Sequence, residues 1–186
     1  MKRLPYNYEE EKYGLKVRLV QEEDADFIVK LRTSPKASNF LHYTDCDINK
    51  QKEWIKEYKT REMEGKEYYF VFIKNNQKQG LIRLYNINGK QFTGGSWIFQ
   101  DEAPMEWSVA GVIISLEIAF NKLSLELSDI YDGVHENNKK VLKFNKMLGV
   151  DFYATRNTPE GMFYVGRLSK EAFEKNKEKL IKYIGF

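Results

Sequence analysis

Two strand-to-helix junctions concentrate the residues of this sequence that could do chemistry. In "SWIFQDEAPMEWSVAGVIISLEIAFNKL" (96–123) an apolar strand passes through an acidic loop into a long apolar helix. A helix start offers free N–H groups and about half a positive charge, so it can hold a phosphate without arginine. Ser108, Ala110 and Gly111, with Val109 between them, are small enough for a phosphate to approach the backbone closely. The loop acids Asp101, Glu102 and Glu106 oppose this use. At contact, a carboxylate and a phosphate repel by about 4 kcal/mol at a surface-like dielectric. These acids either turn away, where one can receive an ammonium group, or simply complement the helix dipole. The second junction, "DGVHENNKK", places His135 at a strand end directly before a helix start. A histidine there is either a polar strand end or a base with a pKa near working pH. Asn138 can cap its helix, contact a ligand, or do both. Arg32 reads either as a bidentate phosphate clamp or as a plain surface residue.

Around these residues the hydrophobic periodicity defines the elements. "GLKVRLV" (14–20) alternates as a strand, and "ADFIVKLRTSP" carries Phe27, Ile28 and Leu31 at helical spacing up to Pro35. A second helix follows Asp47 and ends at Gly65. "EYYFVFIK", "QGLIRLYNI" and "KQFTGGSWIF" then read as three antiparallel strands, joined at Asn75-Asn76 and Asn88-Gly89. Gly94-Gly95 suggests a bulge. The long helix spans about 104–122; a strand at 127–135, a helix at 136–149, two strands joined by "NTPEG" and a charged terminal helix complete the chain. The order βααβββαβαββα predicts an α/β protein with a mixed sheet, in one domain over residues 1–186.

Composition narrows the function. The 30 basic and 27 acidic residues are interspersed, which describes a solvated surface rather than a nucleic-acid footprint. The lone Cys46 excludes an internal disulfide and a cysteine-based zinc site, and no cluster has metal-ligand spacing. No apolar run is long enough to span a bilayer and the N-terminus lacks a signal-peptide core, so a cytoplasmic location is expected.

Three stretches resemble the GNAT acyltransferase superfamily, which moves acyl groups from coenzyme A thioesters to amines. They are "RLVQEEDADFIVKLRTSPKASNFL" leading into "NKQKEWI", then "IAFNKLSL", and "VHENNKKVLKFNKMLGV", whose Asn138 falls on a motif asparagine. The resemblance implies a largely antiparallel sheet whose parallel central pair splays at the cofactor site. It implies acyl-CoA as co-substrate, with no metal. It also implies cofactor contacts from Trp97, Ile98, Phe99, Ser108, Val109, Ala110, Gly111, Asn138 and Asn145. The strand backbone at 97–99 would pair with the pantetheine arm, and an N–H there would polarise the thioester carbonyl. The sequence departs from the family in three places. Ala103, Glu106 and Ser108 occupy the positions of the basic, glycine-rich cofactor loop. Phe144-Asn145 replaces a motif ending in a tyrosine that often protonates the thiolate, and Gly133 stands where many protein N-terminal acetylators have a glutamate. His135, Glu102 and Asn145 remain as candidate catalytic residues.

The "LRTSPKASNFLHY" segment is most similar to enzymes that N-acylate nucleotide-linked (dTDP or UDP) dideoxy-amino sugars for surface polysaccharides such as O-antigen and lipopolysaccharide. That similarity implies Arg32, His42, Tyr43 and Tyr85 as acceptor contacts. It implies direct transfer between two small-molecule substrates, without nucleic acid or membrane, in a possible homodimer. The alternatives are a polyamine or peptide-amine acetyltransferase, or a non-catalytic binding module of the same fold.

Overall fold

The computed structural model describes residues 2–34 and 44–186. Alternating burial in Leu15–Leu19 (β2) and the apolar run Tyr68–Lys74 (β3) start an antiparallel sheet that continues through Gln77–Asn88 (β4) and Gln91–Phe99 (β5). Asn75 and Asn76, at φ 50° and 60°, form the two-residue turn between β3 and β4. The next turn is Gly89-Lys90, one residue later than the sequence suggests, because Asn88 pairs with Gln91. A strand at Glu9–Lys12 (β1) hairpins onto β2 and precedes the expected order. Its sequence, EEEK, has no apolar alternation, as suits a charged edge strand.

Leu127–His135 (β6) runs parallel to β5, but pairing is confined to Gln91–Leu127 and Phe92–Ser128. Beyond these the strands part. Asp151–Thr158 (β7) and Gly161–Ser169 (β8) form a hairpin, with β8 against β6. The sheet order is β1-β2-β3-β4-β5-β6-β8-β7.

Helices cover both faces. On one, Ala25–Arg32 (α1) and Ile48–Met63 (α2) enclose a core of Ile28, Leu31, Ile55, Tyr58, Tyr69 and Leu81. Asp47 starts α2 by accepting the Asn49 N–H at 2.8 Å. On the other face, Met105–Glu117 (α3) and Lys170–Tyr183 (α5) enclose the larger core of Phe70, Phe72, Phe92, Ile113, Phe120 and Phe173. Lys139–Leu148 (α4) begins at Asn138, whose side chain accepts the Val141 N–H at 3.3 Å, and ends at Gly149 with φ 94°. Residues 136–138 form a turn rather than the helix expected there. A π-helical turn, Ile118–Lys122, continues α3.

Candidate active site at the strand splay

The parting of β5 from β6 opens a V-shaped gap between two helix starts, those of α3 and α4. At α3 the N-cap is Pro104, which supplies no side-chain cap, and the Trp107 N–H turns back to the Pro104 carbonyl at 3.1 Å. Helix geometry leaves the amides of Met105 and Glu106 without intrahelical partners. These uncapped amides fit the phosphate groups of an acyl-CoA. Val109, Ala110 and Gly111 lie one turn further on and are buried. A Cβ at Gly111 would stand 2.7 Å from the Phe99 ring, so this glycine serves the packing of α3 on β5. Asp101, Glu102 and Glu106 are exposed at the mouth of the loop.

Trp97 joins three elements at the gap. Its indole N–H donates to the Ser108 hydroxyl of α3 at 2.8 Å, and its ring meets Phe144 of α4 at a centroid distance of 4.9 Å. Ile98 and Phe99 are buried in the two cores, on opposite faces of the sheet, so only their backbone is available to a ligand. The β5 bulge falls at Ser96, φ 49°, where the pairing steps from Leu81–Ile98 to Arg83–Gly95. Gly94 and Gly95 are regularly paired instead, opposite Leu84 and Arg83. Gly95 is needed for another reason: a Cβ there would lie 2.8 Å from the Tyr85 ring.

On the α1–α2 side, a hollow of about 260 Å³ borders this bulge. Arg32 donates from Nε to Thr44 at 2.7 Å and from Nη1 to Ser96 at 2.9 Å, which fixes its guanidinium at the rim. Arg83 lies over Trp54 at 5.1 Å and Tyr85 at 4.9 Å, held from behind by Glu67, which also binds Arg61 at 2.7 Å. The Tyr69 hydroxyl, in a residue only 2% exposed, has no hydrogen-bond partner among the described residues and lines the same hollow. Burial raises its pKa, so it stays protonated and available as a donor. Arg32 and Tyr85 are thus brought to one place. His42 and Tyr43 lie outside the described residues. In the sequence Arg83 reads as an ordinary strand position, Trp54 as an inward helix residue and Tyr69 as part of an aromatic run whose default reading is core.

His135 stands apart from this hollow. Its Nδ1 accepts the Asn137 N–H at 3.0 Å and its Nε2 bonds the Glu160 carbonyl at 2.8 Å, the pattern of the Nε2–H tautomer. The ring, edge-on to Phe163, holds the turn after β6 to the β7–β8 hairpin. Asn145 is buried within α4. A larger hollow of about 680 Å³ lies between α4 and β7, on the side of α4 away from Phe144 and Trp97. Among the described residues no group of three or more His, Cys, Asp or Glu could hold a metal ion.

Comparison with known proteins agrees with this geometry. The family model described as an acetyltransferase (GNAT) domain matches residues 15–151. None of the curated proteins matches the chain. Among solved structures, apo FdhC, a nucleotide-linked sugar GNAT, is similar at 30% identity with a TM-score of 0.80, over 96% of this chain and 99% of that one. RimJ from Mycobacterium smegmatis, in complex with CoA-disulfide, has 12% identity and a TM-score of 0.77 over 92% and 89% of the two chains. The spermidine N-acetyltransferase SpeG from Vibrio cholerae has 16% identity and a TM-score of 0.73 over 87% and 97%. At those identities the last two establish a shared fold.

Proposed function

The chain belongs to the GNAT acetyltransferase family and is an acyl-CoA-dependent N-acyltransferase; from that premise we propose that its acceptor is a nucleotide-linked amino sugar. The observation that carries this reading is the hollow beside Ser96. Two guanidiniums, Arg32 and Arg83, and the indole of Trp54 border it, with Asp45 engaged by Lys50 at 2.6 Å. Cations beside aromatic planes suit an anionic, aromatic ligand such as a nucleoside diphosphate. A polyamine would meet repulsion from both arginines. The similarity to a nucleotide-linked sugar enzyme over nearly the whole chain supports the same acceptor class. His42 and Tyr43 are proposed as further acceptor contacts.

The acyl donor is proposed to enter on the opposite side. Its phosphates would rest at the start of α3, with Ser108 and Asn138 flanking the gap and the β5 backbone at 97–99 beside the pantetheine. The amine then attacks the thioester directly, with both substrates bound. Surface-polysaccharide synthesis in the cytoplasm, in a homodimer, is the proposed setting. Among the described residues no helix is long and apolar enough to cross a membrane.

The test is thiol release from acetyl-CoA with dTDP- and UDP-linked amino-dideoxyhexoses, with spermidine as comparison. Turnover of a sugar nucleotide and refusal of spermidine is the expected result. Arg32→Ala should raise the acceptor KM at least tenfold while leaving the KM for acetyl-CoA within twofold. Equal acceptor KM values in the two proteins would remove Arg32 from the site. Preference for spermidine would replace the nucleotide reading.

A further inference from the structure

Transfer to an amine requires a group that receives its ammonium and takes a proton: Asp101, Glu102 and Glu106 are exposed at the loop mouth and both ring nitrogens of His135 are bonded within its turn. Asp129 of β6 is placed to do so. It is the first residue of β6 beyond the last β5–β6 pair, Phe92–Ser128. Ser128 and its partner Leu168 are buried, with Leu168 in the core beneath α3 and α5. Alternation along the strand turns Asp129 to the other face, the one that α1, α2 and Arg32 occupy. On that face Thr93 and its pair Tyr85 stand in the neighbouring strands.

The carboxylate has an unused hydrogen-bond acceptor. Its Oδ1 is buried and has no hydrogen-bond partner among the described residues. Arg167 lies opposite in the register but turns to Asp151 at 3.7 Å and to the Tyr153 ring at 5.1 Å. A buried carboxylate oxygen without a donor is costly unless a ligand completes it. An ammonium entering the closed end of the gap from the acceptor face supplies the missing charge and N–H together.

We propose that Asp129 is the residue that binds the acceptor's ammonium group and removes its first proton. This rests on the N-acyltransferase activity and not on the identity of the sugar. One N–H proton passes to the Asp129 carboxylate, directly or through a water. The freed nitrogen lone pair forms the C–N bond at the thioester carbon. The C–S bond breaks, its electrons leave with sulfur, and the nitrogen's second proton ends on the thiolate. The carboxylic acid then returns its proton to solvent, so amide, thiol and one released proton balance the reaction.

Asp129→Asn and Asp129→Glu are to be assayed by thiol release with three acceptor classes: sugar nucleotides bearing an amine, spermidine, and a peptide with a free N-terminal alanine. For whichever class the wild type accepts, Asp129→Asn should lose at least 30-fold in kcat/KM for the acceptor. Coenzyme A affinity by calorimetry should stay within twofold, and Asp129→Glu should recover part of the rate. An Asn variant within threefold of wild type overturns the proposal. So does an equal loss of coenzyme A affinity, which marks a structural residue. A wild type that acylates none of the three overturns it as well. Transfer to spermidine or peptide alone would remove the nucleotide-sugar reading while leaving Asp129 fully tested.

Discussion

Asp24 has no exposed surface, yet its carboxylate meets Arg18 at 2.6 and 2.9 Å and Lys78 at 2.5 Å. Burial alone would raise its pKa; the bonds from Arg18, Lys78 and the Gln21 amide outweigh it and hold the carboxyl below the usual range. The folded pKa therefore lies below the unfolded one. The resulting stability is present above about pH 4 and is lost as pH falls through the folded value. Asp24→Asn should cost about 1.5–3 kcal/mol at neutral pH, because it takes the buried anion away from two partly exposed cations, Arg18 and Lys78. Urea unfolding between pH 7 and pH 2 should show the gap between the two proteins closing in acid; a constant gap would refute the linkage. Residue by residue, the sequence conveyed type better than setting. Arg32 could be singled out by type, but a cation in the last turn of a helix also suits the helix dipole, so the sequence left open a phosphate clamp or a plain surface residue. Asp129 was not, because only the ladder registers reveal that its strand has just lost a neighbour. His135 looked reactive by type, but its two nitrogens are already bonded within the turn.

Elements with a strong local code were legible. The turn at Asn75-Asn76, the Asp47 and Asn138 caps and the Gly149 stop each satisfy a backbone requirement that few residue types can meet. The edge strand β1 and the Ser96 bulge have no such code. Pairing with a distant segment creates them, so they appear only in the folded sheet. The same contrast governs Gly111. In sequence it resembles a cofactor-loop glycine, but in the fold it lets α3 approach Phe99 and Ile82, which would lie 2.7 and 3.3 Å from a new Cβ. Gly111→Val should therefore lower stability by about 1–3 kcal/mol through overpacking. For a chain of this size that is about 2–4 °C in Tm for each kcal/mol. Coenzyme A affinity of the protein that remains folded, measured by calorimetry well below Tm, should be unchanged. A selective loss of affinity at unaltered Tm would return Gly111 to the cofactor site.

At the scale of the whole molecule, one buried carboxylate ties the first hairpin to the last helix. Glu117, at the end of α3, accepts from Lys12 at 2.6 Å and from the Tyr13 hydroxyl at 3.2 Å, with Lys177 of α5 3.6 Å away. Phe186 adds an edge contact to the Tyr13 ring at 5.7 Å. Local periodicity could not reveal this clasp, since Lys12, Tyr13 and Lys177 lie 60 to 105 residues from Glu117 along the chain and each alone reads as a surface residue. Its chemistry makes an alkaline prediction. Burial, then the nearby Glu117 charge, pushes the Tyr13 hydroxyl up to about 12. The unfolded tyrosine ionises near pH 10, so the folded state binds the proton more tightly. The stability linked to this group is complete below pH 10 and is lost as pH rises towards 12. After allowance for the partial exposure of the ring, the loss should be about 1–2 kcal/mol. Tyr13→Phe cannot ionise, so its unfolding free energy should fall less between pH 9 and pH 12 than that of wild type. Lysine deprotonation affects both proteins and cancels in the difference. Parallel alkaline curves for the two would place the clasp's strength in Lys12 and Lys177 alone.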